Sequence, residues 1–293
     1  MYLEGFMEYL RSEKRRSANT VEAYKRDYIS FADHAHKKGI EDVKDVSGAD
    51  VLSYLYELRD EGKSAATVNR KLAALRCFFS YLKEQGIIEH DPTDGIKSPR
   101  VSRKKIEYLS IDEVDRLLSM PDDSVKGKRD RAILELMYAT GIRVNELVAT
   151  DIDDLNLRIG FYTCSGEAGK ARIIPIGRPA RKALEDYLDN SRNMLLRDNI
   201  EEKALFVNYY GKRLTRQGLW KILKSYGEKA GLEHVLTPHT LRNSFAVHML
   251  QNGADLKSLQ ELMGHEDPAA TQVYLSVIKS RIKDVYDMAH PRA

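Results

Sequence analysis

Through the first 96 residues the apolar side chains recur at three- and four-residue intervals, and no run reads as a strand. Such spacing gives each segment one apolar stripe, which a helix can bury and a sheet cannot. Ser17-Ala-Asn-Thr20 precedes Val21, Tyr24, Tyr28 and Phe31, one helical face, and Gly39 breaks the pattern. Val51, Leu52, Leu55 and Leu58 mark another helix, closed near Gly62. A third covers Thr67–Leu82, with Leu72, Leu75, Phe79 and Leu82 as its stripe and Arg70, Lys71 and Arg76 pointing elsewhere. The segment is predicted to be a small helical bundle with basic faces.

The chain has 293 residues, long enough for two domains, each able to bury its own core. Lys97-Ser-Pro-Arg-Val-Ser-Arg-Lys-Lys105 carries five bases and no acid, beside Pro92 and Pro99. This suits a linker lying along phosphates, and by itself reads equally as a solvated linker without a partner. The expected division is a helical domain over 1–96, a basic linker over 97–107 and a second domain over 108–293.

The second domain opens at Ser110-Ile-Asp-Glu113, a capping-box pattern, and a further helix is predicted over Arg129–Tyr138, stopped at Gly141. Ile159–Cys164 and Arg172–Ile176 read as short strands flanking the loop Ser165-Gly-Glu-Ala-Gly169, and Pro175 puts its strand at an edge. Helical texture resumes at Pro179 and runs to the C-terminus. The fold class expected is therefore mainly α, with a small antiparallel sheet in the second domain.

Apolar residues make up 42% and charged residues 31%, an ordinary globular balance. No apolar run approaches the roughly 18 residues of a membrane helix. Glu4, Glu8 and Arg11 interrupt the N-terminus before a signal-peptide core can form. Cys77 and Cys164 stand far apart, in no ligand-like spacing, which fits a reducing cytoplasm and argues against structural zinc. The net charge of +3 says less about partners than its distribution does.

Three groups of residues carry possible chemistry. Arg143 lies just beyond a helix stop in Thr140-Gly-Ile-Arg-Val-Asn-Glu-Leu147. In His239-Thr-Leu-Arg242 the i, i+3 spacing puts both side chains on one helix face, able to grip one anion. Leu262-Met-Gly-His265 precedes Tyr274 by nine residues. Singly, each is ordinary: most such arginines lie on a surface and most such tyrosines in a core.

In combination and order they resemble the tyrosine recombinase family, especially its Xer members, over nearly the whole chain. Arg143 matches the first family arginine, His239 and Arg242 the His-x-x-Arg box, His265 the next histidine and Tyr274 the nucleophile. The separations of 26 residues from His239 to His265 and 9 from His265 to Tyr274 look like those of the Xer proteins. Arg129-Asp-Arg-Ala-Ile-Leu, Gly211-Lys-Arg-Leu-Thr, Asn252-Gly-Ala-Asp255 and His290-Pro-Arg-Ala293 agree, and Asn19-Thr-Val-Glu-Ala-Tyr24 resembles the family's SAM-like core-binding domain. The resemblance makes 1–96 a core DNA-binding domain and 108–293 the catalytic domain, together a C-shaped clamp on duplex DNA.

It also implies a mechanism. A tyrosine hydroxyl, pKa about 10, attacks a phosphate when fixed cations hold the developing charge. Arg143 and Arg242 would clamp the non-bridging oxygens, His265 would donate a further hydrogen bond and His239 would assist proton transfer at the tyrosine. The phosphotyrosyl link keeps the bond energy, so no cofactor, metal or ATP is expected. Implied partners are a double-stranded recombination site, a homo- or hetero-tetramer with a related recombinase exchanging a C-terminal helix (residues 278–289), and a DNA translocase as activator.

One departure stands out. The family carries a catalytic lysine in Gly-Lys-Gly-x-Lys-x-Arg, where this chain reads Gly166-Glu-Ala-Gly-Lys-Ala-Arg172. Glu167 takes the lysine's place, and Lys170 follows three residues later, a span of up to about 10 Å. Lys170 is the expected general acid, against the alternative that it only contacts backbone phosphate. Other readings stay open: a phage or transposon integrase, a DNA-binding protein of this fold that has lost strand transfer, and a type IB topoisomerase. The compact length, without an arm-binding domain, favours a Xer role.

Overall fold

A computed structural model of the chain describes residues 2–100, 105–166, 171–265, 267–275 and 277. Glu167, Lys170 and the segment 278–289 lie outside the described residues. The chain divides into two compact units, residues 1–104 and 105–293.

The first unit holds α1 (Tyr2–Ser12), α2 (Ala18–Lys37), α3 (Gly48–Asp60) and α4 (Ala65–Glu84). Ser17 and Ser64 cap α2 and α4 by accepting from the backbone N–H of Thr20 and Thr67. The bundle closes on Phe6, Leu10, Val21, Phe31, Val51, Leu72, Leu75, Phe78, Phe79 and Leu82, all essentially inaccessible. The Phe6 and Phe78 rings meet edge to face with centroids 5.2 Å apart. Leu52, read as part of the α3 stripe, is instead exposed, and Tyr54 takes the inward position.

The second unit begins with α5 (Ile111–Ser119), opened by the expected capping box of Ser110 and Glu113. The next helix, α6 (Val125–Thr140), is buried around much of its circumference, so it has no single apolar stripe. Even Asp130 is enclosed there. Arg129 donates to its Oδ1 (2.9 and 2.7 Å) and the Tyr226 hydroxyl to its Oδ2 (3.1 Å). Gly141 ends α6 in the left-handed region at φ 57°.

Then come α7 (Val144–Ala149) and a three-stranded antiparallel sheet of β1 (Leu155–Asn156), β2 (Phe161–Ser165) and β3 (Ala171–Pro175), in spatial order β1-β2-β3. Cys164 pairs with Arg172 and Phe161 with Pro175, so β3 is the edge that proline allows. Two residues of β1 are too few to show a period, and the sequence reading misses them. Ile159, expected in a strand, lies in the turn before β2.

After α8 (Arg178–Tyr187) and α9 (Asn193–Leu196) the expected helical texture fails. Residues 197–215 run without regular helix, tied to the rest of the unit by the isolated bridge Asp151–Ala204 and folded back on themselves by the bridge Val207–Arg213. Ala204, Leu205, Phe206 and Val207 are buried in succession, which a one-sided helix cannot do. Last come α10 (Arg216–Ala230), α11 (Pro238–Gln251), α12 (Leu256–Met263) and α13 (Pro268–Gln272). The fold is mostly helical with one small antiparallel sheet. Among the described residues no helix is long and apolar enough to cross a membrane.

Gly141 joins α6 to the segment carrying Arg143, and a Cβ there would sit 2.4 Å from the Phe245 ring. Gly141→Ala should therefore cost more than the roughly 1–2 kcal/mol of a left-handed alanine. Calorimetry should find the unfolding midpoint lowered by at least about 3 °C; a midpoint matching wild type would show that the turn accepts a side chain.

Candidate active site

The second unit has a cleft of about 490 Å³ lined by Ile106, Arg143, Arg216, His239, Arg242, Asn243, His265 and Tyr274, among others. Five of the six residues singled out from the sequence meet there. Lys170, the sixth, lies outside the described residues.

The site is organised around a carboxylate. Glu146, on the first turn of α7, is 6% exposed and receives four donors from two arginines. Arg172 of β3 forks onto it through Nη1 to Oε1 (2.9 Å) and Nη2 to Oε2 (2.8 Å), the bidentate match of guanidinium to carboxylate. The backbone N–H of Arg143 donates to Oε2 (2.7 Å). Arg143 Nη1 adds a fourth contact, to Oε1 (3.0 Å), and its Nη2 donates to the Gly264 carbonyl (3.0 Å). Burial opposes the charge on Glu146, but Arg172 and the donors from Arg143 win and hold the carboxyl down to about 2.

Arg242 is held differently. On α11 and 6% exposed, it donates to the carbonyls of Gly141 and Met263, the latter at 2.7 Å. Its Nη2 also lies 3.0 Å from His265 Nε2. A guanidinium can only donate, so Nε2 accepts, the ring proton sits on Nδ1, and Nδ1–H donates to the buried Thr271 hydroxyl (2.7 Å). Burial first, then the charges of Arg242, Arg143 and Arg172, depress His265 to about 4. Burial, then Arg143, brings Arg242 down to about 10, still a cation at neutral pH. In this state His265 is thus neutral and an acceptor toward Arg242, where the family resemblance implies a donor.

Tyr274 is 5% exposed, and its hydroxyl donates to Asn243 Oδ1 at 2.9 Å rather than to His239. Burial raises its pKa, while Arg242 and Arg143 pull the other way. His239, the second residue of α11, is exposed on the cleft side of the helix. Sequence reasoning omitted Glu146, Arg172 and Asn243. Two had usable signals: Glu146 stands three residues after Arg143, and Asn243 four after His239 on the same face. Three guanidiniums against one carboxylate leave an excess of fixed positive charge, suited to a phosphate.

Residues 107–281 match the phage integrase family and residues 3–86 the phage integrase N-terminal SAM-like domain. The chain belongs to the phage integrase family of tyrosine recombinases. It is of the Xer type. It is 45% identical to the tyrosine recombinase XerD of Oceanobacillus iheyensis, over 99% of this chain and 98% of that one. Against XerD of Listeria monocytogenes serotype 4b the identity is 46% over 99% of each chain. Tyrosine recombinase XerC of a Roseiflexus species is 45% identical, over 94% and 88%. Among solved structures, the recombinase shares its fold with XerH bound to palindromic difH substrate in a post-cleavage complex. The TM-score is 0.77 at 24% identity, covering 97% of this chain and 82% of that one. A lambda integrase tetramer bound to a Holliday junction gives 0.69 at 18%, covering 93% and 76%.

The recombinase should lose stability in two acid windows. Unfolded His265 takes a proton near 6.5 and folded His265 only near 4, so stability falls as pH drops between them. Glu146 contributes stability fully above 4.5 and loses it as pH falls to about 2. Denaturant titrations should show His265→Gln flattening the upper window and Glu146→Gln the lower. Glu146→Gln should also cost about 3 kcal/mol at neutral pH, because the half-buried Arg172 and the more open Arg143 lose their shared, buried counter-charge. Unchanged pH slopes would contradict this electrostatic account.

Proposed function

We propose that the recombinase cuts its DNA site by attack of Tyr274 Oη on a backbone phosphate and rejoins strands by the reverse reaction. The Oη–P bond forms as the P–O5′ bond breaks, leaving a 3′-phosphotyrosyl link and a 5′-hydroxyl. The observation that carries this reading is the convergence of Tyr274 with Arg143, Arg242 and His265 on one cation-rich cleft. The guanidiniums would take the non-bridging oxygens, where charge grows in the transition state. Arg242 would exchange His265 for phosphate. His265, freed from it, would then donate from Nε2 while Nδ1 accepts from the Thr271 hydroxyl. Glu146 acts through Arg143 as a positioning residue. His239 would accept the phenolic proton once Tyr274 turns toward the cleft. The bond energy stays in the phosphotyrosyl link, so rejoining needs neither ATP nor metal.

The helical unit 1–96 would grip the duplex, with 97–107 as a linker along phosphates. Resolution of chromosome dimers in the cytoplasm is the biological role we infer, supported by identity to both XerD and XerC proteins. Assembly would be a tetramer, with itself or a related recombinase, through exchange of 278–289, and a DNA translocase would activate it.

Tyr274→Phe should bind the site and form no denaturation-resistant adduct with a nicked suicide substrate. Arg242→Ala should slow adduct formation by about 10²-fold or more at saturating protein. An adduct from Tyr274→Phe would remove Tyr274 from the reaction, and specific binding without adduct in wild type would favour a DNA-binding protein of this fold.

Lys170 is our candidate for the acid that protonates O5′. A substrate with sulfur in the 5′-bridging position has a leaving group that needs no proton, so it should restore most of the rate of Lys170→Ala and little of Arg242→Ala. Glu167→Lys tests the alternative: a gain of roughly tenfold or more would mark Glu167 as a brake. No rescue and no gain would leave neither residue in this role.

A further inference from the structure

The partner of the nucleophile's hydroxyl is Asn243, and its orientation has a definite cause. Asn243 Nδ2 donates to the backbone carbonyl of Glu107 at 2.9 Å. A carbonyl can only accept, so it draws the amide nitrogen to itself and turns Oδ1 toward Tyr274. An amide oxygen also only accepts. It therefore suits the neutral phenol, whose O–H it receives at 2.9 Å, and repels a phenolate.

Attack requires the opposite. As the Oη–P bond forms, the phenolic proton must leave, and a neutral amide oxygen is too weak a base to keep it. Asn243 is thus no proton acceptor for the reaction, and in its present orientation it opposes the charge that Tyr274 must develop. Rotating the amide would offer Nδ2 to the phenolic oxygen but set Oδ1 against the Glu107 carbonyl. That rotation is blocked while Glu107 stays in place.

Glu107 is well anchored. The adjoining Leu109 N–H donates to Ser244 Oγ at 2.8 Å, and the Tyr108 ring meets His248 edge-on at 6.3 Å between centroids. Residues 107–109 are in this way fastened along α11 at Asn243, Ser244 and His248, beside Arg242. In sequence they follow the basic stretch 97–105 after a single residue, Ile106. We propose that Asn243 is a positioning residue for the nucleophile: aligned by the Glu107 carbonyl, it holds Tyr274 as a resting phenol, and cleavage requires release of that hydrogen bond. The inference rests on Tyr274 being the nucleophile.

The charged and titratable groups facing Tyr274 are Arg143 before α7, Arg216 on α10, His239 and Arg242 on α11, and His265 after α12. All remain in every variant of the test. Single-turnover adduct formation on a nicked suicide substrate is followed from about pH 7 to about pH 11.5, a range that extends above the ordinary tyrosine value of about 10 because burial raises that of Tyr274. Asn243→Leu removes the acceptor and should move the alkaline midpoint of the rate profile down by about one pH unit, raising the neutral rate. Asn243→Asp supplies only acceptors and should move it up. In parallel, the Tyr274 ¹³Cζ resonance, assigned through Tyr274→Phe, should titrate at lower pH in Asn243→Leu than in wild type. Asn243→Ala, which likewise carries no acceptor, replaces the leucine variant if that one does not fold. Equal midpoints in wild type and both variants, with equal ¹³Cζ titrations, would overturn the proposal, since a merely structural residue changes rate and stability without moving them. Loss of the adduct in Tyr274→Phe is the separate control. If it fails, the nucleophile assignment falls; if it holds and the midpoints stay put, only the role of Asn243 does.

Discussion

A carboxylate with almost no access to water ties the second unit together. Glu146 joins the turn after α6, which carries Arg143, to the edge strand β3, which carries Arg172. Arg172 in turn donates through Nε to the Leu262 carbonyl (2.8 Å), and Arg143 to Gly264, so the end of α12 is drawn in as well. Burying an ion pair yields little net stability against a well-packed apolar alternative, but removing one partner is costly. The value of the arrangement is geometric. One anion fixes two guanidiniums whose mutual repulsion would otherwise drive them apart, and the sheet is thereby locked to the helices.

Close packing around that hub explains other choices. Gly264 has φ 62°, and a Cβ on it would lie 2.8 Å from Arg172 Nη1. A side chain there would push the guanidinium off Glu146 or distort the turn that presents His265. The glycine beside the histidine is therefore required by the arginine behind it.

Much of this was legible in the sequence, for reasons that differ by region. The α2 and α4 stripes show because each helix buries one face, and caps at Ser17, Ser64 and Ser110 use residue types that announce themselves. Helix α6 could be located but its role as the centre of the unit could not, since burial on most sides erases periodicity. Residues 197–215 misled because a buried extended run looks like helix core when only its apolarity is read. At the site, the arginines, histidines and tyrosine stand out by order and spacing. Asn243 does not, because its importance comes from a backbone carbonyl 136 residues away in sequence, and no local pattern encodes that. His265's acceptor role was likewise hidden: it follows from which donors surround the ring, not from the ring itself.

The two cleft arginines are retained by unlike means. Arg143 shares a full countercharge with Arg172, whereas Arg242 rests on the carbonyls of Gly141 and Met263 and on a neutral imidazole. Carbonyl dipoles satisfy its N–H groups at close range without cancelling its charge, because a dipole's field fades faster with distance than a monopole's. An approaching polyanion would thus meet Arg242 as a whole cation and Arg143 as a partly compensated one. The buried arginine, not the exposed one, would dominate the long-range attraction of this cleft, and added salt would weaken that attraction before it disturbed any contact within the protein.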